Sequence, residues 1–162
     1  MGQTEKYKRK KHTKALPMSR HGHVDKHGDF MDIRSCFVKP KTLFTWNMRY
    51  FCGINVKDYD AQQIETWASS AENKFFWKQQ IEKQYFIIAE NDEYLLGFTS
   101  LTVDGYLDLM YVHKNHQKQG IASALLENIL TEANRLNLIK IWTDASITAR
   151  PFFLNKGFVI EK

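Results

Sequence analysis

The stretch YVHKNHQKQGIASALLENIL, Tyr111 to Leu130, sets a polar, basic run directly against an apolar-periodic segment, with Gly120 and Ala122 at the seam. Behind the seam, Ala122, Leu125, Leu126, Ile129, Leu130, Ala133 and Leu136 form one stripe opposite Glu127, Asn128, Thr131, Glu132 and Arg135. That is the period of a half-buried helix. In front of the seam YLDLMYV, Tyr106 to Val112, reads as a strand. A helix that follows a strand and opens on Gly and Ala presents unpartnered N–H groups at the positive end of its dipole, which suits a phosphate-like anion. Gly120 lets the main chain come close to such a ligand, and Ala122 keeps the first turn clear. No GK[ST] follows, which rules out a P-loop, and GxGxxG is absent, which argues against a dinucleotide fold. The alternative is a plain tight turn that packs a helix on a sheet.

Outward from the seam, YFIIAE (Tyr85–Glu90) and YLLGFTSLTV (Tyr94–Val103) are β-rich runs joined at hairpin length, and Asp104–Gly105 is a turn dipeptide leading into the third strand. Three consecutive strands predict an antiparallel meander. After the helix, LIKIWTDA (Leu138–Ala145) returns as a strand, parallel to the previous one for a right-handed crossover, which makes a βαβ unit. SITARPFFLNKGF predicts a second helix ended by Gly157, with Pro151 near its start, and FVIEK begins a last strand. Toward the N-terminus, MDIRSCFV (Met31–Val38) predicts a strand stopped by Pro40, Leu43–Cys52 is aromatic-rich with a poor pattern, and DYDAQQIETWASS predicts a short helix capped by Asp58 or Asp60.

At 162 residues the chain suits one core, and no apolar run approaches the roughly 18 residues of a membrane span. The first residues lack the hydrophobic stretch of a secretory signal. A cytoplasmic protein is expected, with Cys36 and Cys52 as free thiols in no zinc pattern. The net charge of +5 resides in residues 1–30, where eight Lys/Arg meet three acids; the remainder carries 15 of each sign. This segment also holds His12, His21, His23 and His27 and follows neither period, so it is expected to be a disordered, solvated extension. KYKRKKHTK would suit nucleic acid, but it has no aromatic residue beyond Tyr7. His21 and His23 lack a third ligand at fixed spacing, and no metal is expected.

QKQGIA, Gln117 to Ala122, matches the [QR]-x-x-G-x-[GA] signature of the GCN5-related N-acetyltransferases (GNAT), and the surrounding LDLMYVHKNHQKQGIASALL and ASITARPFFLNKGF resemble that family's central strand, loop and helix and its final helix and GF turn. The resemblance covers roughly residues 31–162. It implies an α/β fold: a mixed, mostly antiparallel sheet with a βαβ unit that binds acetyl-CoA. It implies that Gln117, Lys118, Gln119, Gly120, Ile121 and Ala122 line the pyrophosphate, that Val112 pairs with pantetheine, and that Tyr111 lies along the same arm. The Met110 N–H would polarise the thioester carbonyl. Ser146 stands where many relatives have Asn on the cofactor. An attacking amine must be neutral, and relatives place the general base near Tyr106 and Asp108, with Asp108 the first choice and Glu90 a second. A strand aspartate held by hydrogen bonds or facing solvent is the plainer reading of Asp108.

The chain departs from the family pattern twice. Phe153 stands where a tyrosine usually protonates the leaving thiolate, so water, Tyr111 or another hydroxyl would have to substitute. The closing strand is absent after FVIEK, so an unpaired sheet edge, or completion by a neighbouring chain in a homodimer, is expected. The implied activity is transfer of acetyl from acetyl-CoA to a primary amine of a small molecule or peptide, by residues 31–162, with no membrane partner. Beside it stand two alternatives: an acyl-CoA-binding module without turnover, and nucleic-acid binding through residues 1–30.

Overall fold

Strand β4 (Tyr85–Glu90) and strand β5 (Leu95–Leu101) are apolar on both faces and pair antiparallel, Ile87 opposite Thr99 and Ile88 opposite Phe98. The computed structural model describes residues 4–10, 23–24, 30–35, 74–92 and 95–161, so the expectations for Cys36–Val38, Leu43–Cys52 and the helix after Asp58 lie outside the described residues. On one side of β4 lies β3 (Phe30–Ser35), followed by the two-residue β2 (His23–Val24); on the far side of β5 lies β6 (Leu107–Val112). The turn between β5 and β6 holds Gly105 at φ +96°, where an added Cβ would lie 2.5 Å from the Lys140 carbonyl oxygen. Glycine is required there on both counts.

Helix α2 (Ile121–Arg135) crosses one face of this meander and buries Ile121, Leu125, Leu126 and Ile129 against Ile87, Leu96, Leu101 and Leu107. Each such side chain contributes about 1.5–3 kcal/mol. The helix comes close because β5 has Gly97 beneath it: a Cβ there would lie 2.6 Å from the Tyr111 carbonyl oxygen and 3.2 Å from Leu125 Cδ1. Helix α1 (Lys74–Lys83), which the sequence pattern does not announce, covers the other face with Trp77 against Phe86, Ile88, Leu95 and Phe98.

Beyond β6 the chain forms a second ladder. Strand β7 (Lys140–Ser146) runs parallel to β6 at their single bridge, as the crossover rule requires, and is followed by α3 (Arg150–Asn155) and β8 (Val159–Ile160). Between β7 and β8 lies β1 (Thr4–Lys10), antiparallel to both, with Tyr7 opposite Thr143 and Ile160. Two expectations are corrected here. Residues 4–10 are not a disordered extension, and the last strand does not face an empty place or a neighbouring chain, because β1 fills the gap. The cause is alternation: Glu5, Tyr7 and Arg9 share one face, Lys6, Lys8 and Lys10 the other. Tyr7, 1 % exposed, joins the core, while Lys8 pairs with Glu161 at 2.9 Å and Glu5 with Arg150 at 3.4 Å. Among the described residues no helix is long and apolar enough to cross a membrane.

Candidate active site

The loop from β6 to α2 begins with a 3-10 turn, Lys114–His116, whose first amides are met by His113: its Nδ1 accepts from the Asn115 N–H at 3.3 Å. His113 is buried, and burial, then His116, then Lys114, hold its pKa below the usual histidine value. The chain then turns twice through positive φ, at Lys118 (+61°) and Gly120 (+92°), before α2 starts. Gly120 is the N-cap, no side chain caps the helix, and a Cβ on Gly120 would meet nothing within 4 Å. The glycine therefore answers to backbone conformation and to open space, not to a protein neighbour. The first-turn amides of Ile121, Ala122 and Ser123 have no carbonyl one turn back within the helix, and they face that space at the dipole's positive end. Ile121 contributes only its backbone, because its side chain is in the core.

Alongside this helix end, β6 and β7 separate. They are joined at the base by the Tyr106–Trp142 bridge, by the Trp142 N–H to the Gly105 carbonyl at 3.0 Å and by the Thr143 hydroxyl to the Leu107 carbonyl at 2.8 Å. From Asp108 onward no ladder connects them. Met110 and Val112 pair with β5 on one edge only, and their side chains pack toward α2. The seam opens toward the α2 N-terminus.

At the base of the seam β6 bulges. Ser100 faces Leu109 and Leu101 faces Leu107, which leaves Asp108 as the extra residue. A bulge re-aims a side chain, and here it turns the Asp108 carboxylate to the α1 face, where Oδ2 accepts from Gln84 Nε2 at 2.8 Å. Gln84 also donates to Gln80 Oε1. Tyr106 lies on the same face, its ring 4.2 Å from that of Trp142 and its hydroxyl 3.3 Å from Asp144 Oδ2. Desolvation, then Asp144, then Asp108, push its phenol up to about 12. Glu90 is not brought here: it pairs with Leu95 at the opposite end of the β4–β5 ladder.

A family model for the acetyltransferase (GNAT) domain matches residues 55–161. The chain belongs to the GNAT acetyltransferase family. It is 30% identical over 135 residues to the uncharacterized N-acetyltransferase YafP of Escherichia coli (strain K12), covering 83% of this chain and 78% of that one. Among solved structures it resembles a GCN5-related N-acetyltransferase from Rhodopseudomonas palustris (TM-score 0.72, 23% identity, 80% and 82% of the two chains). It also resembles the PaiA N-acetyltransferase of Thermoplasma acidophilum in complex with coenzyme A (TM-score 0.70, 17% identity, 81% and 91%). The expected GNAT fold is thus the observed one.

Against that GNAT frame, the remaining sequence-predicted residues fall as follows. Tyr111 packs its ring on Phe98, 5.1 Å between centroids, on the α1 face. Ser146 ends β7 and its hydroxyl accepts from the Ala149 N–H at 3.3 Å, holding the turn into α3. Phe153 is buried between Tyr7, Phe152 and Phe158 and offers no proton. Gln117, Lys118 and Gln119 form the loop before Gly120, with Gln117 and Lys118 exposed. The GNAT resemblance did not point to Gln84, Trp142 or Asp144. For Gln84 the only signal was its place just before a strand end, and for Trp142 and Asp144 the period of two against buried Ile141, Thr143 and Ala145.

Proposed function

We propose that this protein transfers acetyl from acetyl-CoA directly to a primary amine of a small molecule or peptide. The observation that carries the reading is the open seam: beyond the bridge, the edge of β6 that carries Met110 and Val112 has no strand partner among the described residues, and it lies beside an uncapped helix N-terminus at Gly120. A strand edge with spare N–H and C=O groups suits an amide-bearing arm, and first-turn amides suit a diphosphate. The residues fit acetyl-CoA because Gly120 keeps the space before α2 free, a space that a Cβ would enter.

In this reading the amides of Gln117 to Ala122 hold the diphosphate, with the Lys118 ammonium beside them. Val112 and Tyr111 line the arm, and Ser146 closes the far wall. Acetyl-CoA supplies an activated carbonyl. The Met110 N–H donates to the oxygen on which negative charge develops, a contact of this kind being worth about 3 kcal/mol. Asp108 takes the proton of the attacking amine, directly or through one water, and Gln84 holds the Asp108 carboxylate in place. Tyr106 lines the amine's approach as a neutral phenol. The acting segment is the domain of residues 31–162 completed by β1, and a cytoplasmic location belongs to the same reading.

Titration calorimetry with coenzyme A and thiol release from acetyl-CoA over a panel of amines test this. Uptake of coenzyme A and amine-dependent thiol release are expected, with Asp108→Asn lowering kcat/KM by about 10²–10⁴. Absence of uptake at millimolar coenzyme A would overturn the reading. Full activity of Asp108→Asn across pH would remove Asp108 from its role. The buried Phe153 favours one competing reading, a module that holds acyl-CoA without turnover; that reading requires uptake without thiol release.

A further inference from the structure

The seam has an outward face that the transfer reading leaves without an occupant. Trp142 and Asp144 alternate with buried Ile141, Thr143 and Ala145, so they lie on the face away from α2. Asp108 and Asp144 each stand two residues beyond the Tyr106–Trp142 bridge, one on either side of the seam. Between them the Tyr106 and Trp142 rings make a partly exposed aromatic floor. One ammonium already rests on it: Lys6, opposite Asp144 in the β1–β7 ladder, holds Nζ 6.0 Å from the Trp142 ring centre. Lys8, its neighbour on the same face, is committed to Glu161.

A second observation concerns the polar groups behind Asp108. Gln84 Oε1 is buried and has no hydrogen-bond partner among the described residues, while the same side chain's Nε2 is spent on Gln80 and Asp108. Ser100, fully buried on the strand opposite Leu109, has an unpartnered Oγ as well. Both atoms lie beneath the surface, so they back the site from behind Asp108, and the group that a ligand meets there is the Asp108 carboxylate, held by Gln84 Nε2. Carboxylates on both sides of an aromatic face, with an internal ammonium on that face, select positive charge.

We infer that the acceptor is an amine carrying a second positive charge. Its reacting nitrogen meets Asp108, and its remote ammonium takes the place of Lys6 over Trp142, beside Asp144. This rests on the acetyl-transfer reading and names the substrate class of that site. In the transfer, the N–C bond forms as the thioester C–S bond breaks, the amine proton passes to Asp108, the thiolate leaves with the bonding pair, and the remote ammonium is unchanged.

The test compares 1,5-diaminopentane with n-pentylamine, which differ only in the second charge, in the full chain and in Asp144→Asn and Lys6→Ala, with coenzyme A calorimetry reporting the fold of each variant. The diamine is favoured in kcat/KM by about 30-fold or more, and Asp144→Asn cuts that ratio about tenfold, through KM. Lys6→Ala lowers KM for the diamine, because the competing ammonium is gone. Equal efficiency of the two amines, with coenzyme A bound and thiol released, overturns this inference and leaves the transfer reading intact. A KM unmoved by both substitutions overturns it too. No thiol release with any amine overturns both.

Discussion

Tyr7, in the first strand, stacks on Phe153, in the last helix, with 6.1 Å between ring centroids and 25° between planes. The pair joins residues far apart in sequence, and it shows that β1 is part of the core. Tyr7→Ala should destabilise the fold by about 3–5 kcal/mol, the scale of a buried aromatic removed. Tyr7→Phe keeps the ring and loses only the hydroxyl that donates to Glu5 Oε2 at 2.6 Å, so a cost of about 1 kcal/mol is expected. Denaturant unfolding of the two variants checks the ranking. An unchanged midpoint in Tyr7→Ala would mean that β1 does not hold the slot.

Gly120→Ala separates backbone strain from ligand space. At φ +92° an alanine is strained by about 1–2 kcal/mol, and no protein atom clashes with it. A modest fall in Tm should therefore accompany a loss of coenzyme A affinity of about tenfold or more, since the methyl enters the space before the first-turn amides. Calorimetry with affinity retained would place the diphosphate elsewhere.

The phenol of Tyr106, at about 12, should be among the last to ionise in an alkaline absorbance titration. Tyr106→Phe removes that step. Asp144→Asn lowers it, because a negative charge beside the phenolate is gone. No rate change assignable to Tyr106 is expected up to pH about 10. A late step that Asp144→Asn leaves in place would contradict the assignment.

His113 makes the fold sensitive to mild acid. Its folded pKa is depressed, chiefly by burial. Below the unfolded value of about 6.5 the unfolded chain binds the proton more readily than the folded one. The contribution is therefore present above that value and is lost as pH falls through the lower folded pKa. His113→Gln should flatten the dependence of Tm on pH between about 7 and 5. A slope equal to that of the parent protein would assign it to another group.

The meander, the βαβ unit and the anion loop were legible because their signals are local: alternating or continuous apolar runs, Asp104–Gly105, and a one-sided stripe behind Gly120. Strand β1 was not, since one apolar residue among seven looks like solvated chain until Thr143 and Ile160 are placed beside it. Helix α1 was missed because Phe75 and Phe76 break any single stripe around Trp77. The Asp108 position was legible as a residue but not as a geometry. A bulge is set by how β6 registers on β5, and the Gln84 contact spans 24 residues that no pattern connects.

Among the described residues β6 and β7 are hydrogen-bonded only at the Gly105–Leu107 end, so a gap opens between them beyond it, while β1, β7 and β8 share one apolar core with α2 and the larger sheet. A long, flexible compound lying along the gap would act as a suture. Its arrival should raise the melting transition with the logarithm of its concentration, and should slow deuterium uptake at Met110 and Val112 more than anywhere on the outer strands.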